Sequence, residues 1–312
     1  MVKATVIEPS VSKAKRIKLS AMQLNAKPNI EENIQAIARQ LALLTADNCS
    51  DEHLVVLPEC CLFFGASDQA QLQLAKDSVQ SKNGFISTLQ LALSKLAKEY
   101  RVYLVAGTIP LLSSKSSSKN SSKNKNESKT AEQGNKFTNT SCVFSPSGEI
   151  LGRYDKIHLF DVSVEDNAKN YCESRYTQAG SKPCLVNTPL ANIGLTVCFD
   201  IRFPALYQTL NALGAEIITV PSAFTRVTGK AHWQTLLQAR AIENQVYIVA
   251  AGQEGVHENG RETWGHSMII SPWGEILACL EEGEGVISSD FNPQEIKRIR
   301  ASMPLKHALA SN

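Results

Sequence analysis

The chain has 312 residues, of which 32 are Lys or Arg and 30 are Asp or Glu, so its formal net charge is +2. This balance creates no basic field of the kind that attracts nucleic acid or an anionic membrane, and we predict neither as a partner. The length suits one large domain, and no apolar run is long enough to span a bilayer.

The first predicted elements alternate between strands and helices. Residues 1–16 lack the apolar run of a secretory signal, and we expect a disordered tail there. Apolar periodicity then predicts strands at 17–25, 54–57 and 101–109 and helices at 30–44 and 84–100. This βαβαβ order is typical of an α/β fold in which helices cover a sheet.

Residues 113–136 differ in composition from the rest of the chain. They are rich in Ser, Lys and Asn and contain no large apolar residue, so they are unable to pack a core. We expect a disordered surface insertion. A polybasic binding arm is the alternative, although serine and asparagine dilute its charge.

The second half begins with a predicted hairpin and continues with alternating elements. The hairpin pairs 141–145 with 149–154 around a Pro-Ser-Gly turn, and an irregular stretch covers 156–183. Later strands are expected at 193–197, 216–220, 245–251, 266–270, 275–280 and 286–291, and helices at 204–213 and 230–244. We therefore predict one α/β domain over 17–300, followed by a tail at 301–312.

Residues 193–204, I-G-L-T-V-C-F-D-I-R-F-P, place Cys198 between a predicted strand and a predicted helix. Pro204 suits the first turn of that helix. A thiol near a helix N-terminus ionises more easily, and nearby main-chain N–H groups can bind an oxyanion. A buried core cysteine is the alternative, because free cysteine is among the most buried residue types.

Three charged residues also follow predicted strands or hairpins. Glu59 follows the strand at 54–57, Lys156 follows the hairpin, and Glu173 lies in the irregular stretch. A partly desolvated glutamate can act as a general base, and a buried ammonium requires a carboxylate or an oxyanion nearby. Each of them alone is more typical of a structural ion pair or a solvated charge than of a catalyst, because ion-pair networks are commoner than active sites.

Other kinds of site have no counterpart in this sequence. It contains no G-x-S-x-G, G-x-x-x-x-G-K-[ST] or H-E-x-x-H motif, and no two of its six histidines have helical ligand spacing. The eight cysteines are irregularly spaced and form no C-x-x-C pair. We predict no metal, no organic cofactor, and a cytoplasmic location in which the thiols stay reduced.

The order of the motifs makes the interpretation more specific. The chain contains P-E, then D-K-I-H-L-F-D, then C-F-D-I-R-F-P, and later W-G-H-S-M-I-I-S-P-W-G. Over roughly 17–300 it resembles the nitrilase superfamily of carbon–nitrogen hydrolases, within the branch of Nit-type amidases. That resemblance implies a four-layer αββα sandwich and a homodimer or a higher homo-oligomer.

The resemblance also implies a role for each site residue. Glu59 would take the proton of Cys198, whose thiolate would attack an amide carbonyl. Lys156 and the main-chain N–H of Phe199 would hold the oxyanion, and Glu173 would orient Lys156 or the incoming group. Ammonia would leave, and water activated by Glu59 would then hydrolyse the thioester.

The substrate is predicted to be a small carboxylated amide. The resemblance favours deaminated glutathione over alpha-ketoglutaramate, with Arg261 as a cation for a carboxylate and His232 as a residue that lines the pocket. Cys60 and Cys61 leave the shape of the pocket open. A nitrilase, a carbamoylase and a catalytically silent binding scaffold are the alternatives.

Overall fold

Two β-sheets that pack face to face form the centre of the molecule. The computed structural model describes residues 16–46, 51–79, 87–113, 136–164 and 170–305. The helices in these ranges are α1 (Ile30–Thr45), α2 (Asp68–Asp77), α3 (Thr88–Tyr100), α4 (Pro204–Ala212), α5 (Arg226–Asn244) and α6 (Pro293–Ser302). The strands are β1 (Ile17–Gln23), β2 (Glu52–Val56), β3 (Tyr103–Val105), β4 (Ile109–Leu112), β5 (Phe137–Phe144), β6 (Ile150–Asp155), β7 (Asp161–Ser163), β8 (Asn170–Cys172), β9 (Cys184–Asn187), β10 (Asn192–Leu195), β11 (Ile217–Ser222), β12 (Tyr247–Gly252), β13 (Glu254–Val256), β14 (Glu262–Trp264), β15 (Ser267–Ile270), β16 (Ile276–Leu280) and β17 (Gly285–Asp290).

The two large sheets share one plan, in which parallel strands lie in the middle and antiparallel strands lie outside. The first sheet has the order β17-β1-β2-β3-β5-β4, with β6 also paired to β5. The second has the order β16-β15-β12-β11-β10-β9. Strands β1, β2 and β3 are parallel, as are β10, β11 and β12. The carboxyl ends of parallel strands are where open α/β sheets present their ligand sites.

Two apolar layers on the first sheet, one against each face, produce the layered architecture. The larger one includes Leu19 and Val56 between the sheets and continues through the second sheet to its helix-covered face, where Ile218 lies beside Leu210 of α4. The smaller one joins the other face of the first sheet, including Val55, to Leu93 of α3. Alternate residues of β2 therefore face opposite layers, as the period of a strand requires.

Helices cover the outer face of each sheet. In α1, the Asn29 side chain accepts hydrogen bonds from the N–H groups of Glu31 and Glu32 and caps the first turn. Ile37 and Leu41 are four residues apart, and both are buried in the smaller apolar layer. Helices α4 and α5 cover the second sheet, and their side chains complete the larger layer. The predicted four-layer αββα sandwich is confirmed.

The structure differs from the sequence prediction in several elements. Helices α2 and α6 were not predicted, and the stretch expected to be irregular contains the hairpin β7-β8. The single strand expected at 101–109 is two strands separated at Gly107. Gly107 has φ +48°, and a Cβ there would lie 1.9 Å from the carbonyl oxygen of Pro58. This position needs glycine because the backbone passes so close to the residue that precedes Glu59.

Some predicted segments lie wholly or largely outside the described residues. The tail expected at 1–16 is described only at Arg16, and the insertion expected at 113–136 only at Ser113 and Lys136. The C-terminal tail expected from residue 301 begins inside α6. Among the described residues, no helix is long and apolar enough to cross a membrane.

Candidate active site

A pocket at the carboxyl ends of the parallel strands brings the four predicted acid, base and thiol residues together. Glu59, Lys156, Glu173 and Cys198 all line it. The pocket holds about 890 Å³ of space, including its open mouth. Residues far apart in the chain meet here because β2 and β10 belong to different sheets whose strand ends face the same cleft.

Cys198 lies on a sharp turn after strand β10. It begins a short 3₁₀ helix, Cys198–Arg202, and its φ is +46°, a left-handed conformation that L-residues rarely adopt. Such conformations cost about 1–3 kcal/mol and persist where the surrounding structure enforces them. The thiol is buried, with 7% of the residue exposed, and it hydrogen-bonds to the Glu59 carboxylate.

Both carboxylate oxygens of Glu59 are hydrogen-bonded. Oε1 accepts from the Nζ of Lys156 at 2.9 Å and from the Nδ2 of Asn139 at 2.9 Å. Oε2 accepts from the main-chain N–H of Ala223 at 2.9 Å. Because Glu59 is 5% exposed, these contacts replace the water that a carboxylate would otherwise bind.

Lys156 lies between two carboxylates. Its Nζ is 2.9 Å from Oε1 of Glu59 and 2.9 Å from Oε2 of Glu173. The same Glu173 oxygen accepts a 2.7 Å hydrogen bond from the main-chain N–H of Phe160, which fixes the carboxylate on the hairpin side. Lys156 is 2% exposed, so its ammonium is held almost entirely by protein groups.

The protonation states at rest follow from burial and these neighbours. Burial acts to raise the pKa of Glu59, but the Lys156 ammonium and the hydrogen bonds from Lys156, Cys198 and the Ala223 N–H together place that pKa below its ordinary value. Burial acts to lower the pKa of Lys156, whereas Glu173 and Glu59 raise it well above its ordinary value. Burial and the Glu59 carboxylate raise the pKa of the Cys198 thiol. At neutral pH the site therefore contains a carboxylate beside a protonated thiol.

Asn139 and Ala223 belong to the site, and the sequence did not reveal them. Asn139 lies on β5, and its Nδ2 contacts both Oε1 of Glu59 and, at 3.2 Å, Oε1 of Glu173. Ala223 follows β11, and its N–H serves both Glu59 and the Cys198 sulfur. An asparagine in a Thr-rich strand and a main-chain N–H carry no motif, so only the folded chain identifies them.

Phe199 follows Cys198 in the first turn of the 3₁₀ helix, and its ring lines the pocket. Main-chain N–H groups in the first turn of a helix lack intrahelical partners and are available to an anion. The ring of Phe199 meets the ring of Phe160 edge to face, with centroids 5.1 Å apart. One wall of the pocket near the thiol is therefore aromatic.

Arg261 lines the pocket, as predicted for a substrate-binding cation. Its guanidinium carbon lies 4.9 Å from the ring centroid of Phe64 and 5.1 Å from that of Tyr171. The two rings hold the guanidinium by cation–π contacts and keep it partly away from water. Its Nε is buried and has no hydrogen-bond partner among the described residues.

His232 does not line the pocket, which corrects the sequence prediction. Helix α5 begins at Arg226 rather than 230, because the Thr225 side chain caps it and Gly229 lies inside the helix. Gly229 packs so closely on Trp264 that a Cβ would lie 2.3 Å from that ring's Cγ. His232 is consequently exposed, and its Nδ1 lies 3.3 Å from Nη1 of Arg202.

Cys60 and Cys61 have different environments. Cys60 lines the pocket beside Glu59, and its N–H donates to the Thr108 hydroxyl at 2.8 Å. Cys61 points into the apolar layer, where its sulfur lies 3.4 Å from the carbonyl oxygen of Ala106. Only the first of the two cysteines therefore shapes the pocket.

A buried carboxylate connects the segment of Lys156 to the turn of Cys198. Asp200, with 0% exposure, accepts from the main-chain N–H of Val197 at 2.9 Å and from that of His158 at 3.0 Å. The Nδ1 of His158 lies 2.7 Å from the same carboxylate, which fixes Nδ1 as the protonated nitrogen. The Tyr154 hydroxyl completes this set of donors.

The carbon–nitrogen hydrolase family model matches residues 18–301. The chain belongs to this family. The match covers Glu59, Lys156 and Cys198, the three residues whose order suggested this family, and nearly all of the described chain. The chain is a carbon–nitrogen hydrolase.

Among the carbon–nitrogen hydrolases, the chain is similar to amidases of the Nit type. A deaminated glutathione amidase of Synechocystis is 38% identical over 291 residues, which covers 92% of this chain and 96% of the relative. The omega-amidase NIT3 of Saccharomyces cerevisiae is 31% identical over 293 residues, covering 94% and 92%. The crystal structure of yeast Nit3, a member of branch 10 of the nitrilase superfamily, has a TM-score of 0.79 at 30% identity and covers 97% of this chain and 100% of that chain.

Proposed function

We propose that this carbon–nitrogen hydrolase is a cysteine amidase in which Cys198 is the nucleophile and Glu59 is the general base. One observation carries the proposal: a buried, ionised Glu59 hydrogen-bonds to the buried, protonated thiol of Cys198. A thiol becomes a strong nucleophile only when it loses its proton to a base within hydrogen-bonding reach. Glu59 is ionised and lies beside the thiol, so it can accept that proton.

In the first half-reaction, Glu59 takes the proton while the sulfur of Cys198 bonds to the amide carbonyl carbon. The carbonyl oxygen becomes an oxyanion. Lys156 has three N–H donors, two of which bind Glu59 and Glu173, and the third can donate to this oxygen. The main-chain N–H of Phe199 is the second donor. One such donor is worth about 10²–10³ in rate.

The remaining steps restore the resting protonation states of Glu59 and Cys198. Glu59 passes its proton to the amide nitrogen, the carbon–nitrogen bond breaks, and an amine leaves a thioester on Cys198. Glu59 then takes a proton from water, which attacks the thioester carbonyl. The carbon–sulfur bond breaks, the acid departs, and Glu59 returns the proton to the thiolate. Glu173 keeps Lys156 in place throughout.

We propose deaminated glutathione as the substrate. The Synechocystis relative carries that name at 38% identity. The substrate bears carboxylates, and Arg261 is a cation that lines the pocket and whose Nε has no hydrogen-bond partner among the described residues. A charged hydrogen bond from Arg261 to a carboxylate would contribute about 1–3 kcal/mol to transition-state binding.

The identity of the leaving group corrects one step of the sequence-based mechanism. Ammonia leaves only from a primary amide, such as alpha-ketoglutaramate. Deaminated glutathione keeps the two peptide-type bonds of the tripeptide, so its amides are N-substituted and release an amine. The product therefore distinguishes the two candidate substrates as clearly as the rate does.

An omega-amidase acting on alpha-ketoglutaramate is the second candidate, because the yeast omega-amidase is 31% identical over 94% of this chain. The test compares kcat/KM of the purified protein for the two compounds, following amine release for one and ammonia for the other. We expect the higher value for deaminated glutathione. An equal or higher value for alpha-ketoglutaramate would assign the protein to the omega-amidases.

The same assay tests for a nitrilase, a carbamoylase and a binding scaffold. Turnover of a nitrile or a carbamoyl compound in preference to both amides would favour a nitrilase or a carbamoylase. No turnover of any of these compounds by a folded protein would favour a scaffold. We also propose homodimer assembly and a cytoplasmic location, and sedimentation of the purified chain tests the first.

Variants of Arg261 test the carboxylate contact. Arg261→Gln is expected to raise KM for deaminated glutathione about tenfold or more, while kcat changes less, because a binding contact is lost. Arg226→Gln is the matched control: Arg226 pairs with Glu262 at 3.0 Å and does not line the pocket. Equal effects of both changes would exclude Arg261 as the receptor.

A further inference from the structure

Asn139 contacts both carboxylates at the base of the pocket and the main chain of Lys156. Its Nδ2 donates to Oε1 of Glu59 at 2.9 Å and to Oε1 of Glu173 at 3.2 Å. Its main-chain carbonyl accepts from the N–H of Lys156 at 2.9 Å. The side chain lies on β5 and is buried, with 6% of the residue exposed. One residue therefore joins the two carboxylates and fixes the backbone of the lysine between them.

The chemistry of the neighbours determines which end of the amide faces them. Both partners are carboxylate oxygens, which only accept hydrogen bonds when they are ionised. The amide must therefore direct its two N–H groups at them, one to each. The amide oxygen in that place would oppose two negative charges. This position between the two carboxylates therefore requires a neutral side chain with two N–H donors.

The charges around Glu59 show why a double donor is needed. The groups that face or neighbour this carboxylate are the ammonium of Lys156, the carboxylate of Glu173, and the thiols of Cys198 and Cys60. The buried carboxylate of Glu59 and the half-buried carboxylate of Glu173 share a single ammonium, so the ionised cluster carries an excess negative charge. Dipoles directed at both carboxylates reduce the cost of that excess.

We infer that Asn139 is a positioning residue that keeps Glu59 ionised and holds its Oε1 toward Lys156, which leaves Oε2 as the oxygen that faces Cys198. Oε2 and the sulfur of Cys198 share the N–H of Ala223, which places that oxygen beside the thiol. The inference rests on the proposed function only in taking Glu59 as the base.

Titration of Glu59 tests the inference without any substrate. Glutamate labelled with ¹³C at Cδ is followed by NMR over pH, and the Glu59 signal is assigned from its absence in Glu59→Gln. Asn139→Leu removes both donors at similar size and is expected to move the Glu59 midpoint to higher pH. Asn139→Asp keeps the shape but adds a carboxylate, and it is expected to move the midpoint in the same direction. An unchanged midpoint in either folded variant would overturn the inference.

Thr140→Val is the matched control on the same strand. Thr140 is fully buried, and its hydroxyl donates to Asp155 at 2.6 Å, away from Glu59. This change removes the hydrogen bond to Asp155 and the 2.8 Å contact with the Thr138 hydroxyl, so it reproduces a purely structural loss. The Glu59 midpoint is expected to stay at the wild-type value. An equal upward shift in this control would show that Asn139 acts only through general stability.

Kinetics separate failure of the inference from failure of the proposed function. With an amide that the wild type turns over, Asn139→Leu is expected to lower kcat/KM about tenfold or more, the loss for one hydrogen bond to a charged group. The acidic limb of its pH profile is expected to shift upward. If Asn139→Leu shifts the Glu59 midpoint but the wild-type protein hydrolyses no amide, the positioning role stands and the amidase function is rejected. If Asn139→Leu lowers kcat/KM equally at every pH and leaves the acidic limb of the pH profile unmoved, only the positioning role is rejected.

Discussion

The hydroxyl of Tyr154 donates a 2.7 Å hydrogen bond to the buried carboxylate of Asp200. Tyr154 lies on β6, two residues before Lys156, and Asp200 lies two residues after Cys198. This contact therefore sets the distance between the segment that carries the proposed oxyanion donor and the turn that carries the proposed nucleophile.

Tyr154→Phe is expected to destabilise the fold by about 1–3 kcal/mol, because a buried carboxylate loses a donor. It is also expected to lower kcat more than it changes KM. Urea unfolding and steady-state kinetics measure the two effects. Tyr100→Phe, at a half-buried site on α3, is the control and is expected to change neither. Wild-type stability and kcat in Tyr154→Phe would contradict the prediction.

Cys198→Ala is expected to leave the fold intact and to abolish hydrolysis, since the sulfur is the only proposed covalent participant. Cys60→Ala and Cys61→Ala are expected to retain measurable turnover. Circular dichroism and the amide assay on all three variants provide the check. Equal loss of activity at the three sites would mean that another cysteine, or none, is the nucleophile.

Lys156→Met is expected to abolish turnover and to destabilise the protein by about 3–5 kcal/mol. Removing the ammonium leaves the buried Glu59 and the half-buried Glu173 beside each other without a cation. The double variant with Glu173→Gln is expected to recover part of the stability but none of the activity. If Lys156→Met kept most of the wild-type rate, Lys156 would not be an oxyanion donor.

His257 links stability to mild acid. Burial lowers the pKa of His257 to about 4, and its Nε2 lies 2.7 Å from the Thr263 hydroxyl. Between the ordinary histidine pKa of about 6.5 and pH 4, the unfolded chain binds a proton that the folded chain does not. This residue therefore costs the native state up to about 3 kcal/mol as pH falls through that window.

His257→Gln removes that proton and is expected to lose less stability between pH 7 and pH 4.5 than the wild type. Urea midpoints at the two pH values measure the difference. Carboxylates titrate in both proteins, so their effect on stability cancels when the two losses are compared. Equal losses in both proteins would show that His257 is protonated in the folded state.

The hairpin β4-β5 predicts the effect of removing residues 114–135. Leu112 pairs with Phe137, and the N–H of Ser113 donates to the carbonyl of Lys136 at 3.1 Å. A two-residue Asn-Gly turn can therefore join these ends. The free energy of unfolding is expected to change by less than about 1 kcal/mol, because closure entropy varies slowly with loop length. A loss of many degrees in Tm would contradict this expectation.

The parts of the fold with strong apolar periodicity were predictable. Helix α1 and the parallel strands have apolar residues at regular spacing, whereas α2 is rich in glutamine and has only Gln71 and Ala75 buried. Helix α6 has few apolar residues, and its sequence signal is the cap Asn292 followed by Pro293. Glycine disfavours a helix interior, so Gly229 predicts a helix start at 230, whereas α5 continues through it.

The candidate site was predictable where ordered motifs exist. Glu59, Lys156, Glu173 and Cys198 lie in recognisable sequences and meet in the pocket. Asn139 was not predictable, since its contact with Glu59 joins residues 80 positions apart. The contact depends on the order of strands in the first sheet, where one strand, β3, lies between β5 and β2, and local sequence pattern does not encode that order.

The protonated state of Cys198 has a consequence for exposure to oxidants. Peroxides attack thiolates, and the same burial and neighbouring carboxylate that raise the pKa of Cys198 keep the thiolate population small at rest. If Cys198 is the nucleophile, peroxide is expected to inactivate this enzyme more slowly than an enzyme whose catalytic cysteine has a low pKa.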